Sequence, residues 1–170
     1  MTLIKTLNGK TPVTGKNCFL AETATLIGDV VIGNNCSIWF NAVLRGDVHY
    51  IKIGNNTNVQ DNAMIHATYK KSPTNIGSNV TIAHGAIIHG CTLHDNVMIG
   101  MNAVILDDAI VESNSIVAAG SVVTKGTIIK SGSVYAGVPA KKVKDISEEL
   151  LHGEVLRIAK AYDMYAGWYK

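Results

Sequence analysis

Charge is scarce in this chain of 170 residues: Asp, Glu, Lys and Arg together make up 16% of it. So low a charged fraction, set against an apolar content of 47%, excludes a disordered chain and a charged coiled coil. The net charge of +2 comes with no Lys/Arg block beyond LysLys pairs, so nothing points to nucleic acid as a partner. No apolar run is long enough to cross a membrane, and MTLIKTLNGKTPV lacks the apolar core and cleavage site of a signal peptide. The three cysteines, Cys18, Cys36 and Cys91, are odd in number and form no CxxC, which reads as reduced, buried thiols in a cytoplasmic protein. The length suits one domain, residues 1–170, with a sizeable core.

What is present is a period. From Leu20 an aliphatic residue returns every six positions through Leu26, Ile32, Ile38 and Leu44. After a nine-residue step it resumes at Ile53, Val59 and Ile65, and after an eleven-residue step at Ile76, Ile82 and Ile88. One five-residue step then reaches Leu93, and sixes continue through Ile99, Ile105, Val111, Val117, Val123 and Ile129 to Tyr135. Two residues before most of them stands something small, among them Cys36, Ala42, Ala63, Cys91 and Ala103, and turn formers fall between. This is a hexapeptide-repeat parallel β-helix over 11–140: three hexads make one triangular coil, with the aliphatic residue inward. The period changes at the end, where Leu151, Val155, Ile158, Tyr162 and Tyr165 fall at helical spacing. A helix over 146–166, capped by Ser147 and stopped near Gly167, should pack along the prism.

Three histidines, His66, His84 and His89, stand in one stretch, each followed by Ala or Gly. Three imidazoles with an open fourth position make a catalytic zinc arrangement. His84 and His89 are five apart, which suits neither one face of a helix nor one face of a strand. The repeat resolves this. With the long steps treated as insertions, Ile65 and Ile88 stack in adjacent coils. His66 and His89 then point outward in one column about 4.8 Å apart, with Arg45 one coil earlier. His84 follows Ile82 by two and points away from that column, so only a neighbouring prism could bring its own His84 to the same ion.

Arg45-Gly46-Asp47, Asn58-Val59-Gln60-Asp61, His66, and His84 with His89 in AHGAIIHGC resemble the γ-class carbonic anhydrases. Ala136-Gly137-Val138-Pro139-Ala140 and the closing helix extend the resemblance over almost the whole chain. It implies a left-handed coil and a homotrimer acting on CO2 and bicarbonate. It implies Zn2+, replaceable by Fe2+ or Co2+, held by His66 and His89 of one chain and His84 of the next. Arg45 and Asp47 would bind subunits together with Asp61 near them. Gln60 would orient the zinc-bound water with Asn58 beside it, and Tyr162 would lie near the metal. One departure stands out: the family's two acids read as proton shuttles are replaced by Val48 and by an acid-free loop, Ala67–Asn75. Two other functions stay open. One is a hexapeptide acyltransferase or CoA-thioester enzyme with one histidine as general base; the other is a metal-binding trimer with little activity.

Overall fold

The computed structural model describes residues 1–169; Lys170, the last residue of the expected domain, lies outside them. The chain winds as a parallel β-solenoid whose three faces carry the three expected columns. On one face Ile32, Ile53, Ile76, Leu93, Val111 and Ile129 stand in register. The second carries Leu20, Ile38, Val59, Ile82, Ile99, Val117 and Tyr135. The third carries Leu26, Leu44, Ile65, Ile88, Ile105 and Val123. All but Leu20 and Tyr135, at the two ends, are buried. The small partners fit beneath them: Cys36, Ala42, Ala63, Cys91 and Ala103 are each at most 1% exposed. Burial pushes the Cys36 and Cys91 thiols up to about 11 and about 12, so both stay protonated.

The insertions fall outside the register, as the period requires. Strand Val43–Ile53 pairs with Thr25–Ile32 across an irregularity, so the residues after Gly46 bulge out before pairing resumes at Ile51. The second insertion is a tight loop in which Thr68 and Ser72 bridge each other in antiparallel fashion. The solenoid also begins earlier than residue 11. Leu3–Lys5 pairs parallel with Thr25–Ile27, and a short hairpin at Leu7 and Lys10 replaces a hexad, so no period marks this strand.

One corner of the prism is lined by asparagine. Asn17, Asn35, Asn56, Asn79, Asn96 and Asn114 all have φ between 54° and 58°, a left-handed conformation that asparagine tolerates better than most residues. Their side chains bond coil to coil, each Nδ2 donating to the Oδ1 of the next at 3.0–3.3 Å.

The closing helix departs from simple periodicity. Ser147 caps it, its Oγ accepting from the Leu150 N–H at 3.2 Å. Between the α-helical Glu148–Leu150 and Arg157–Gly167 lies a π-helical stretch, Leu151–Leu156. The wider π turn shifts the facing of the helix, so Val155, Ala159 and Ala166 are buried while Ile158 is only half-buried. Trp168 is exposed; Tyr169 stacks on Phe19, Trp39 and Phe40. No helix of the described residues is long and apolar enough to cross a membrane.

The corner ladder yields a stability test. Asn79→Ala removes two ladder bonds and puts alanine at φ 56°, whereas Asn79→Gly removes the bonds without that strain. In urea unfolding the alanine variant should lose more than the glycine variant by about 1 kcal/mol. Equal losses would show that the corner conformation carries no strain.

Candidate metal centre

Register puts His66 and His89 side by side. They pair directly in adjacent parallel strands, Met64–His66 and Ile87–His89. Their rings tilt toward each other with centroids 5.1 Å apart, and His66 Nδ1 faces His89 Nε2 at 3.1 Å. The outer nitrogens are engaged by carboxylates. His66 Nε2 lies 2.9 Å from Asp47 Oδ1, and His89 Nδ1 lies 2.6 Å from Asp107 Oδ1. An ionised carboxylate only accepts, so each outer nitrogen carries the proton. With both rings neutral, the two facing nitrogens each present a lone pair. Two lone pairs at 3.1 Å repel unless a cation lies between them. The spacing also suits two ligands of one tetrahedral zinc, whose nitrogens at about 2.0–2.1 Å from the ion stand about 3.4 Å apart.

The surroundings of His66 favour its neutral form. Burial holds His66 below the ordinary imidazole value; Asp47 opposes this, and the Arg45 charge adds to the lowering. Burial alone would raise Asp47, but hydrogen bonds from Arg45 and His66 outweigh it and hold the carboxyl below its usual range. The Arg45 Nη1 donor is 2.6 Å from Asp47 Oδ2, so Arg45 and Asp47 pair within one chain. Asp107 is likewise held low, burial being overcome by donors from Thr68 and His89.

His84 lies elsewhere, on the corner beyond Thr81–Ile82. Its Nδ1 is 2.9 Å from Asp61 Oδ2, and its Nε2 is 3.4 Å from the Tyr162 hydroxyl. Burial, then the Asp61 charge, push the Tyr162 phenol up to about 12, so it remains a donor. Gln60 reaches His84 by the backbone: its Oε1 accepts from the His84 N–H at 3.2 Å. Gln60 Nε2 donates to Asn58 Oδ1, and Asn58 Nδ2 donates to Thr81 Oγ1, each at 3.0 Å. Asn58 and Gln60 are buried, so within one chain they fix the His84 corner. Beside it a cleft of about 260 Å³ is lined by Trp39, Asp61, His84, Tyr162 and Trp168. Among the described residues, no group of three or more His, Cys, Asp or Glu side chains is placed to hold a metal ion. One subunit therefore presents two parts, the His66–His89 pair and the His84 corner.

The remaining histidines stay apart from both. His94 and His152 are exposed, and His49 packs on Tyr50 and accepts its backbone N–H. Sequence reasoning missed Asp107 and Thr68. Thr68 Oγ1 donates to Asp107 Oδ2 at 2.7 Å, and Ser72 Oγ donates to Asp108 Oδ1 at 2.6 Å, tying the inserted loop to the next coil. Asp107-Asp108 stands at the corner one 17-residue coil after His89-Gly90, a step that the run of sixes does not mark.

The profile of the bacterial transferase hexapeptide family (six repeats) matches residues 11–46, 73–106 and 90–125. A carbonic anhydrase of Geobacillus kaustophilus is 44% identical over 168 residues, covering 99% of this chain and 91% of that protein. The chain belongs to the γ-class carbonic anhydrase family. The left-handed β-helix of this hexapeptide-repeat family is the solenoid described above. Gamma carbonic anhydrase 2, mitochondrial, of Arabidopsis thaliana is 44% identical over 92% of this chain. The chain spans little more than half of that longer γ-class protein, 56% of its length. The crystal structure of a hexapeptide transferase family protein from Anaplasma phagocytophilum superposes with a TM-score of 0.94 at 40% identity, covering 99% and 98% of the two chains.

The amide chain under His84 can be tested apart from any metal. Thr81→Val leaves the buried Asn58 amide without its acceptor and should cost about 1–3 kcal/mol in urea unfolding. Thr81→Ser should recover most of the loss. A valine variant as stable as the parent would remove Thr81 from the network.

Proposed function

We propose that this chain forms a homotrimer that holds a divalent metal, zinc foremost, between subunits and hydrates CO2 reversibly to bicarbonate. The observation that carries the reading is the pair of ring nitrogens of His66 and His89 facing each other at 3.1 Å, with a carboxylate at the outer nitrogen of each ring. His66 and His89 of one subunit and His84 of its neighbour would be the ligands; iron or cobalt suits the same nitrogen set. Support for a shared site comes from the division within one chain, where His84 is anchored at a different corner. When bound, zinc in a three-histidine set lowers the pKa of a water ligand to about 7.

The chain's own groups do the rest. Gln60, fixed by Asn58, holds the His84 corner and keeps an N–H for orienting the nucleophile. Tyr162 offers a phenol beside His84 that stays protonated at neutral pH. Arg45, Asp47 and Asp61 lie next to the ligand histidines, where they would meet the neighbouring subunit. Val48 and the Ala67–Asn75 loop carry no acid, so the proton must leave through solvent or buffer. Three free thiols, Cys18, Cys36 and Cys91, two of them buried, support a reducing, cytoplasmic setting.

Subunit mixing tests the shared site. A His66→Ala trimer and a His84→Ala trimer should each be metal-free. Unfolded together and refolded as mixed trimers, they should regain roughly a quarter of the sites, wherever one subunit supplies His66 and His89 and the next supplies His84. If a tagged chain shows that exchange occurred and no metal returns, the histidines are not shared across an interface.

Turnover tests the proton route. Hydration of CO2 should be slow in dilute buffer and rise with imidazole concentration at fixed pH and ionic strength. A flat response from an active trimer would show that proton release is not the slow step.

A further inference from the structure

Among the described residues, Asp107 is the one charged group in contact with a proposed ligand histidine that belongs to none of the motifs read from the sequence. It stands one coil beyond His89, in the corner after strand Val104–Ile105. One oxygen, Oδ1, is 2.6 Å from His89 Nδ1; the other accepts from Thr68 Oγ1 at 2.7 Å. Thr68 belongs to the inserted loop, which is further tied by Ser72 to Asp108 and by Thr74, whose hydroxyl donates to the His66 carbonyl. The Gly90 N–H in turn donates to Thr74 Oγ1, so the backbone on both sides of the histidine pair is pinned.

We propose that Asp107 is a positioning residue for the metal centre: it holds His89 in the tautomer and rotation that present Nε2, and Thr68 holds Asp107. The proposal rests on the reading of His66, His84 and His89 as metal ligands and gives the carboxylate behind His89, with Thr68 behind it, a role of its own. The chemistry follows from the ring. Imidazole has one N–H when neutral, and whichever nitrogen carries it cannot bind a cation. A carboxylate at Nδ1 fixes the proton there and leaves the Nε2 lone pair for the ion. It also makes the ring a better donor ligand, as partners of ligand histidines commonly do. The acid-free loop thereby acquires a task. In the loop where the family resemblance places a proton shuttle, this chain carries Thr68, which orients the carboxylate behind a ligand.

The test uses the full-length trimer with zinc as the probe, its affinity read by competition with a chromophoric chelator. Asp107→Ala should weaken zinc binding about 10- to 100-fold, and Asp107→Asn, which keeps an acceptor of the same shape, should weaken it less. A second readout needs no metal. Long-range nitrogen–proton NMR of the metal-free protein should show His89 as the Nδ1–H tautomer in the parent and as a mixture in Asp107→Ala. Thr68→Val, which frees the loop but leaves the carboxylate, should keep the Nδ1–H tautomer. Zinc affinity within threefold of the parent in Asp107→Ala, or an unchanged tautomer there, overturns the proposal. So does an equal loss in Thr68→Val and Asp107→Ala with the tautomer intact in both, since the loop alone would then account for it. A parent trimer that takes up no zinc overturns the ligand assignment itself, which is a different result from weakened binding in the variants alone.

Discussion

Stacking of one coil on the next, at the strand spacing of about 4.8 Å, is the constraint that sets everything else in the fold. Parallel hydrogen bonds between coils fix that distance and the register together, so each residue has a set neighbour one turn above and one below. Inward, this aligns Ile53 with Ile76 and Leu93 and dries the prism. Outward, the same register aligns His66 with His89, and a strand spacing is close to the span that two ligands of one ion require. The facing pair of histidines thus needs no special backbone on that face. It is a consequence of placing histidine twice at the same phase of the repeat.

The polar groups around the site serve to hold protons in place. Each of the three histidines has a carboxylate at one nitrogen: Asp47 for His66, Asp61 for His84 and Asp107 for His89. These partners come from three different coils, so the lone pairs are oriented only once the coils have stacked. The chain carries few charges overall, and several of them are gathered here.

How much of this was legible in the sequence depends on whether a feature repeats. The inward column and the pairing of His66 with His89 followed from a period of six, because the insertions could be recognised as steps outside it. The Asp107 contact was not legible, since it joins a corner to a face in the adjacent coil and no period describes it. The same holds for Thr68 and Ser72, whose partners are chosen by the fold of a single loop. In the helix, 3.6-residue spacing marked the apolar stripe but not the π-helical widening at Leu151–Leu156, which adds rotation without a sequence signature. Leu3–Lys5 escaped because the hairpin after it takes the place of a hexad, and Ile4 stays exposed although it pairs with Leu26.

The asparagine ladder has identical rungs, each amide donating in the same direction to the next coil. A ladder of this kind sets no length: adding or removing a whole coil leaves the remaining rungs unchanged. Something else must tell the solenoid where to stop. Gly132 takes the corner above Asn114 and offers no side-chain amide, so the rungs end there. One strand later Lys141–Asp145 turns back antiparallel against Ser133–Ala136, its residues all exposed and three of them lysine. A reversed, charged edge is a poor template for another strand. Termination is therefore written into two short segments at the end of the prism, and the body before them carries no information about its own length.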